Sequence, residues 1–485
     1  MDFRIVAHLV GMVLRIQSVL ILPAMAFCMA TGEQKSTRAF FITLVIAIAG
    51  FMLLGLMRYD AKRRMYIKDG FVAVAICWIV ISITGALPFY LSGTIPSFLD
   101  AFFESVSGFT TTGASIIADV EALPRGMLLW RSFTHWIGGM GVLIFLLAVF
   151  PAISGGDNSI SVMKAESPGP SPGKLVPKLR QSAKILYTIY ISLTILQILF
   201  LRLGGMPVFD CVVNALATAG TGGVTITNAS IAAYGSVYVD MVIGVFMILF
   251  SINFNLFYFM LVRNFSAILK NEELRVYLGV IASATVLIAV NLTGTVYHSV
   301  PQALRYAFFQ VSSVASSTGF STADFGQWPT FSRILLFLLM FMGACAGSTG
   351  CGIKVSRFVI FFKEAKRSLY RVVHPRSVEL VKMDGKALDK TTVQAVNTYL
   401  VTFILLFGTS VLLVSIDGFS FETTVTSVAA CINNLGPGYG MVGITGNYSA
   451  FSAFSKIVLS VNMLLGRLEI YPILLLFSPR TWKRI

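Results

Sequence analysis

The chain is 485 residues long, 56% hydrophobic and only 12% charged, with a mean hydropathy of +0.80; this excludes a soluble globular domain of ordinary composition and marks an integral membrane protein. Its net charge of +15 would suit nucleic acid if the basic residues gathered on one face or tail, and they do not. They fall in clusters at Arg58 to Lys68, Lys164 to Lys184, Arg263 to Arg275, Lys354 to Lys390 and Arg480 to Arg484, which under the positive-inside rule are cytoplasmic.

In chain order, two helices precede Arg58. The N-terminus lacks a short apolar core followed by a small-residue cleavage site, so the first span is expected to stay in the mature protein. The uncharged runs Ala39 to Met57, Phe71 to Leu99, Met241 to Val262 and Ile334 to Ile353 are each roughly 19 residues or more, enough to cross about 30 Å of hydrocarbon as whole spans. Two crossings between successive basic clusters, after the first two helices, predict ten in all, with both termini cytoplasmic. Cys28, Cys77, Cys211, Cys345, Cys351 and Cys431 show no metal-ligand spacing and read as small packing residues.

After Lys68 the chain repeats a unit: a long apolar span, a short irregular segment, and a second span. The expected fold is all-α and polytopic, with a helix pair in residues 1–68 and four units in 69–160, 161–265, 266–380 and 381–485. The irregular segments read SFLDAFFESVSGFTTTGAS, VFDCVVNALATAGTGGVT, ALRYAFFQVSSVASSTGFS and TTVTSVAACINNLGPGYG. Aligned on Gly113, Gly223, Gly319 and Gly436, each has a polar residue nine positions earlier: Glu104, Asn214, Gln310 and Ser427. Each begins with a half-apolar stretch suited to a short helix, then small residues and a glycine, the pattern of a re-entrant loop. Non-helical backbone at membrane depth has to be buried in protein or line a cavity. Four such loops are therefore expected pseudo-fourfold around one pore. Their helix C-termini aim partial negative charge at a cation, and the glycines let carbonyls replace its hydration shell. The competing reading is that the glycines only make tight turns or helix contacts.

In the third unit the second span starts near Ser332, and its inner half reads GACAGSTGCGIK, from Gly343 to Lys354. Gly343 and Gly347 satisfy GxxxG, so close packing of a continuous helix is one reading. The other is an unwound segment, because Gly343, Gly347, Gly350 and Gly352 together cost a helix about 3 to 4 kcal/mol relative to alanine. Unwound, the segment around Ser348 and Thr349 would form a movable barrier across the pore. The last span, from near Ser455 to Phe477, carries Arg467 near its middle, at a cost of at least about 2.5 kcal/mol if it faced lipid. Arg467 therefore faces protein or water, either in an ion pair or against the pore and bonded to the unwound loop. Glu469, two residues on, points elsewhere and is not an automatic partner.

Other residues carry less. Asp100 and Asp210 suit the N-terminal ends of the pore helices. Glu104 either supports the first loop or contacts ions; Asn253 and Asn255 either line the pore or bond between helices; His135 reads as a packed helix residue. The stretch Arg357 to Lys390 either lies against lipid or docks a partner.

The four-unit layout, the loops TTTGAS, GTGGVT, SSTGFS and NNLGPGYG, the runs HWIGGMGVLIF from His135 and GRLEIYP from Gly466, and GACAGSTGCGIK resemble the TrkH membrane subunits of bacterial Trk potassium-uptake systems. These belong to the Trk/Ktr/HKT superfamily, and the resemblance covers essentially the whole chain. It implies a multi-pass homodimer of the bacterial inner membrane, each protomer with its own pore, and a cytosolic TrkA-type ring that binds the regulatory nucleotide. It puts a filter that binds K+ through carbonyls at Thr111, Thr112 and Gly113, at Gly222, Gly223 and Val224, at Thr318, Gly319 and Phe320, and at Leu435, Gly436 and Pro437. It assigns Gly343, Gly347, Ser348, Thr349, Gly350 and Gly352 to the gate, and the pore reading of Arg467 places that residue with them. Glycine at the first filter position, Gly113, goes with potassium in that superfamily, and serine with sodium. Two departures weaken the filter. No loop carries the full TVGYG of tetrameric potassium channels, and Pro437 has no amide hydrogen, so discrimination against sodium is expected to be moderate.

No nucleophile with a paired base, no HExxH and no Walker-type phosphate loop is present, so enzymatic activity is not expected and any nucleotide dependence has to come from a partner chain. The expected function is potassium uptake through a gated, channel-like pore. The alternative is potassium/proton symport, which needs a titrating group within the membrane; Glu104, Glu469 and His135 are the candidates.

Overall fold

The computed structural model describes residues 3–56, 67–141, 179–377 and 379–482. The boundary between the first and second units, most of the cluster beginning at Arg58, the Lys164 to Lys178 part of the second cluster and the Arg484 end lie outside these residues. Among the described residues the regular structure is helical apart from one antiparallel hairpin of two-residue strands, β1 (Lys382–Met383) and β2 (Lys386–Ala387).

The first two apolar runs form α1 (Phe3–Ala30) and α2 (Gln34–Gly55). Each unit then follows one order: long helix, short helix, loop, second helix. The first unit has α3 (Ile67–Leu91), α4 (Phe98–Phe109) and α5 (Arg125–Gly139). The second has α6 (Leu179–Leu203), α7 (Val208–Ala219), α8 (Val237–Ser251) and α9 (Phe254–Leu261), followed by the short α10 (Phe265–Lys270). The third has α11 (Glu272–Leu292), α12 (Val300–Ala315), α13 (Thr330–Phe341) and α14 (Val355–Val373). The fourth has α15 (Lys390–Val414), α16 (Phe421–Ile432), α17 (Ala453–Arg467) and α18 (Tyr471–Phe477), and α19 (Pro479–Trp482) follows. The short helices start where local chemistry dictates. Ser97 and Ser420 cap α4 and α16 by accepting the Asp100 and Thr423 amides, and Asp100, Asp210 and Glu422 lie in the first turns of α4, α7 and α16, where carboxylates suit the helix dipole.

Six described helices are long and apolar enough to cross a membrane, seven if the bent pair α8 and α9 counts as one span. Two runs expected as unbroken spans are broken, in the second and fourth units, and the third unit's run is interrupted where its glycines already argued for unwinding. Met241 to Val262 turns by 94° between Ser251 and Phe254. The run from Ile334 to Ile353 stops being helical after Phe341. The last span breaks between Arg467 and Tyr471, where Glu469 and Ile470 hold φ of 52° and 73°. Periodicity cannot reveal such breaks, because the groups that satisfy the freed backbone come from other units.

The units close on one another. The second helix of each unit packs on the short helix of the next: α5 on α7, α8 on α12, α13 on α16, and α17 back on α4. Ion pairs clamp three of these contacts: Asp240 with Arg305 at 2.7 Å, Asp100 with Lys456 at 2.6 Å, and Glu422 with Arg333. At the remaining one the Arg125 guanidinium lies 5.8 Å over the Phe209 ring. The outer faces carry exposed apolar residues such as Val45, Leu199, Val290, Ile404 and Leu412, whereas Thr111, Thr112, Asn214, Gln310, Ser427, Asn433 and Asn434 are buried. Apolar outside and polar within is the distribution lipid favours when the protein encloses a polar path.

Candidate functional site

The short helices α4, α7, α12 and α16 all end in the same backbone path. Thr111, Thr221, Ser317 and Asn434 take φ of 57°, 55°, 57° and 53°, and two residues later Gly113, Gly223, Gly319 and Gly436 take 79°, 64°, 87° and 90°. Left-handed conformation disfavours any residue with a Cβ. The glycines also have no space for one. A Cβ on Gly113 would lie 2.0 Å from the carbonyl oxygen of Gly222, one on Gly223 2.1 Å from that of Thr318, one on Gly319 2.2 Å from that of Leu435, and one on Gly436 2.6 Å from that of Thr112. Each carbonyl belongs to the residue just before the next loop's glycine, so the four loops meet in a closed ring. A cavity of about 120 Å³ lies against this ring, lined by all four glycines and by Ser115, Val224, Thr225, Ser321, Pro437 and Tyr448. The fourth loop departs from the others: its Gly436 carbonyl accepts the Tyr448 hydroxyl at 2.8 Å.

The polar residues nine positions before the glycines brace the ring from behind. Glu104 accepts from the Ile116 amide at 3.1 Å and the Ser115 hydroxyl at 3.0 Å, and it pairs with Arg131 at 2.8 Å. Gln310 donates to Ser321 Oγ at 2.8 Å, and Asn214 to the Tyr234 hydroxyl at 3.1 Å. Ser427 instead donates to Thr424 within its own helix, and Thr426 takes its place by accepting the Tyr439 amide at 2.9 Å. Of the two readings of Glu104, the structure shows the support. Glu104→Ala would leave Arg131 charged and unpaired in a buried site, so we expect a loss of about 3 to 5 kcal/mol, measurable as a lower yield of folded protein and a lower melting temperature in detergent.

Beyond the ring, residues 342–354 leave helical geometry and fold on themselves. Gly343 N–H donates to the Ile353 carbonyl at 2.9 Å and Ala344 N–H to that of Cys351 at 3.2 Å. Gly347 and Gly352 hold φ of 73° and 77°, so the glycines here serve turns, not a continuous helix. The loop's freed amides find partners at the other breaks. Cys345 N–H donates to the Ser251 carbonyl and Thr349 N–H to that of Phe250, while Gly347 accepts from Phe254 N–H at 2.9 Å. One Glu273 oxygen takes both the Ala346 and the Ser356 amides, at 2.8 and 3.0 Å. Asn253 caps α9 by accepting the Asn255 amide at 2.9 Å and packs against Gly347.

Arg467 is brought to this loop. Its Nη1 donates to the Thr349 carbonyl and to Cys351 Sγ, both at 3.1 Å. Its Nη2 reaches the Gly139 carbonyl at 2.8 Å and that of Gly138, and the guanidinium lies 5.7 Å over Trp78. One side chain thus joins the third unit's loop to the end of the first unit's second helix. Glu469 is the partner of a different arginine, Arg357, which also lies 3.9 Å over the Tyr399 ring. Arg357 is therefore buried, and the basic stretch that begins there turns outward only further along α14, where Phe362, Leu369, Val372 and Val373 are exposed. His135 packs its ring on the second loop: a Cβ on Gly222 would lie 1.4 Å from its Nδ1.

Sequence reasoning missed Cys351, Glu273 and the Gly138 and Gly139 carbonyls. Cys351 reads as a packing thiol by sequence, and motifs and spacing do not single out Glu273. The signal available for Glu273 was its place opening a membrane span, where a buried carboxylate needs donors.

The described family model "TrkH: Cation transport protein" matches residues 36–484. The chain is 35% identical over 490 residues to the Trk system potassium uptake protein TrkH of Escherichia coli K12, covering 100% of both. It is 33% identical over 486 residues to TrkG of the same organism, covering 99% of both. The crystal structure of the potassium transporter TrkH from Vibrio parahaemolyticus resembles it with a TM-score of 0.89 at 31% identity, covering 100% of both chains.

Proposed function

The chain belongs to the TrkH family of cation transport proteins, and on that premise we propose that it carries potassium into a bacterial cell through a gated, channel-like pore. The observation that carries this reading is the closed ring of four left-handed glycines, each against the carbonyl of the next loop. Such a ring supplies oxygen ligands in place of water. In this reading Thr111 to Gly113, Gly222 to Val224, Thr318 to Phe320 and Leu435 to Pro437 form the filter, and the loop from Gly343 to Gly352 with Arg467 forms the gate. The protein works as a homodimer in the inner membrane, both termini cytoplasmic, under a cytosolic TrkA-type ring that binds the nucleotide. Relatives named as components of a Trk system support the partnership.

Proton symport is less favoured, because Glu104 and Glu469 are held in ion pairs with Arg131 and Arg357 and His135 is packed against Gly222. Ion flux into liposomes holding the purified protein, with a potassium gradient imposed and pH clamped, tests the reading. Downhill flux that persists without a proton gradient supports the channel; flux that collapses with it supports symport.

A gate built this way responds to its glycines. Gly352 needs its positive φ, and a Cβ on Gly350 would lie 2.4 Å from Ala344 Cβ and 2.9 Å from the Ser316 carbonyl. Replacing Gly350 and Gly352 with alanine disfavours the docked loop and favours helix by about 1.6 to 2 kcal/mol, a shift of roughly 15- to 30-fold in a two-state equilibrium. The expected result is permeation less dependent on the regulatory partner, measured as flux against partner concentration. Undiminished dependence in normally folded protein would count against the gate.

A further inference from the structure

We propose that residues 350–352 shut the pore by taking over oxygen ligands at the inner end of the ring, so that the docked loop and a cation bound there exclude one another and the permeating ion is itself an opening ligand. This rests on the gate reading above. Cys351 N–H donates to Ser317 Oγ at 2.7 Å, and Cys351 Sγ lies 3.6 Å from Thr111 Oγ1 and 4.0 Å from the Thr110 carbonyl oxygen. Thr111 and Ser317 are the left-handed residues two positions before their ring glycines. A Cβ on Gly352 would lie 3.6 Å from Asn433 Oδ1. The loop thus bonds to the first and third pore loops and lies close to the fourth.

The chemistry of these contacts is competitive. On this proposal a cation at this end of the ring draws on the lone pairs of the Ser317 and Thr111 hydroxyls beside the ring carbonyls. With the loop docked, Ser317 Oγ faces an amide N–H, the positive end of a dipole, where a cation would sit. Among the described residues, Asn433 Oδ1, fully buried, has no hydrogen-bond partner. An orphaned buried acceptor is unfavourable, and a cation would satisfy it once the loop withdraws. A ligand that binds only the undocked state raises its population by a factor of one plus the ratio of concentration to dissociation constant, about tenfold at ten times that constant.

The native Cys351 thiol reports undocking, since it is buried against the ring when the loop is in place. Wild-type protein in liposomes is treated with a small water-soluble thiol reagent in potassium chloride or in N-methyl-D-glucamine chloride at equal ionic strength, and Cys351 labelling is read from peptide mass. The expected result is labelling several-fold to about tenfold faster in potassium. In Ser317→Ala the loop and the ion both lose a partner, so labelling in the organic cation rises and the potassium dependence shrinks. Asn433→Leu should shrink the potassium dependence while sparing the Cys351 to Ser317 bond. Equal or slower labelling in potassium overturns the proposal. If the regulatory subunit accelerates labelling and potassium does not, the gate reading stands and this inference falls. A thiol that never reacts while ions flow sinks both.

Discussion

Arg467→Ala is expected to raise potassium flux through the protein without any regulatory subunit, by roughly 10- to 150-fold. The guanidinium joins two units beyond the ring, donating to the Thr349 carbonyl at 3.1 Å on one side and to the Gly139 carbonyl at 2.8 Å on the other. Loss of a single hydrogen bond to a charged group costs about 1.5 to 3 kcal/mol, and here the loss falls on the state with the loop docked. On the proposed gate reading, the substitution also removes a positive charge from the route of a cation. Arg467→Lys separates the two effects: it keeps the charge, but one ammonium lacks the planar fork that spans both carbonyls, so its flux should be intermediate. The measurement is flux in liposomes together with the yield of monodisperse protein. Normal yield with unchanged or lower flux would remove Arg467 from the gate, and a collapse in yield would assign it a structural role.

Gly113→Ser is expected to lower the preference for potassium over sodium by about tenfold or more, equivalent to about 1.4 kcal/mol. Serine at this position meets two obstacles. Its φ of 79° costs an L-residue about 1 to 2 kcal/mol, and the new Cβ would lie 2.0 Å from the Gly222 carbonyl oxygen. That oxygen has to move, and because each glycine abuts the loop after it, the displacement opens the ring between the first and second loops. A wider, uneven ring holds the larger ion less well and offers a hydroxyl that suits sodium. Reversal potentials with potassium on one side and sodium on the other decide the matter. An unchanged preference in folded protein would mean that Gly113 does not line the ion path.

Much of this was legible in the chain, for reasons that differ from one element to the next. The four short helices and their glycines were visible because a re-entrant loop is a local event, in which a half-apolar stretch, small residues and a left-handed turn follow one another in sequence. Glu104 and Gln310 were found by spacing alone, since nine residues along a short helix and its turn bring a side chain back to its own loop. Ser427 had the same spacing, yet Thr426 does the bracing in the fourth loop. There the loop runs through Leu435, Gly436 and Pro437, and the Thr426 hydroxyl, not that of Ser427, meets the Tyr439 amide.

Composition, the length of apolar runs and the alternation of basic clusters determined that the chain crosses a membrane, and glycine's helix cost pointed to the interruption of the third unit's second helix, because lipid solvation, span length and helix propensity act on consecutive residues; the layout of four repeated units was an expectation from the same local pattern. Only the tertiary structure decided that the second helices of the second and fourth units break as well, that Glu469 belongs to Arg357, and that Arg467 meets the first and third units at once. The contact between Arg467 and Gly138 joins residues 329 apart in sequence. A helix at membrane depth breaks only where another element satisfies its freed amides and carbonyls, and which element does so is settled by the closing of the four units, not by any residue's neighbours in the chain.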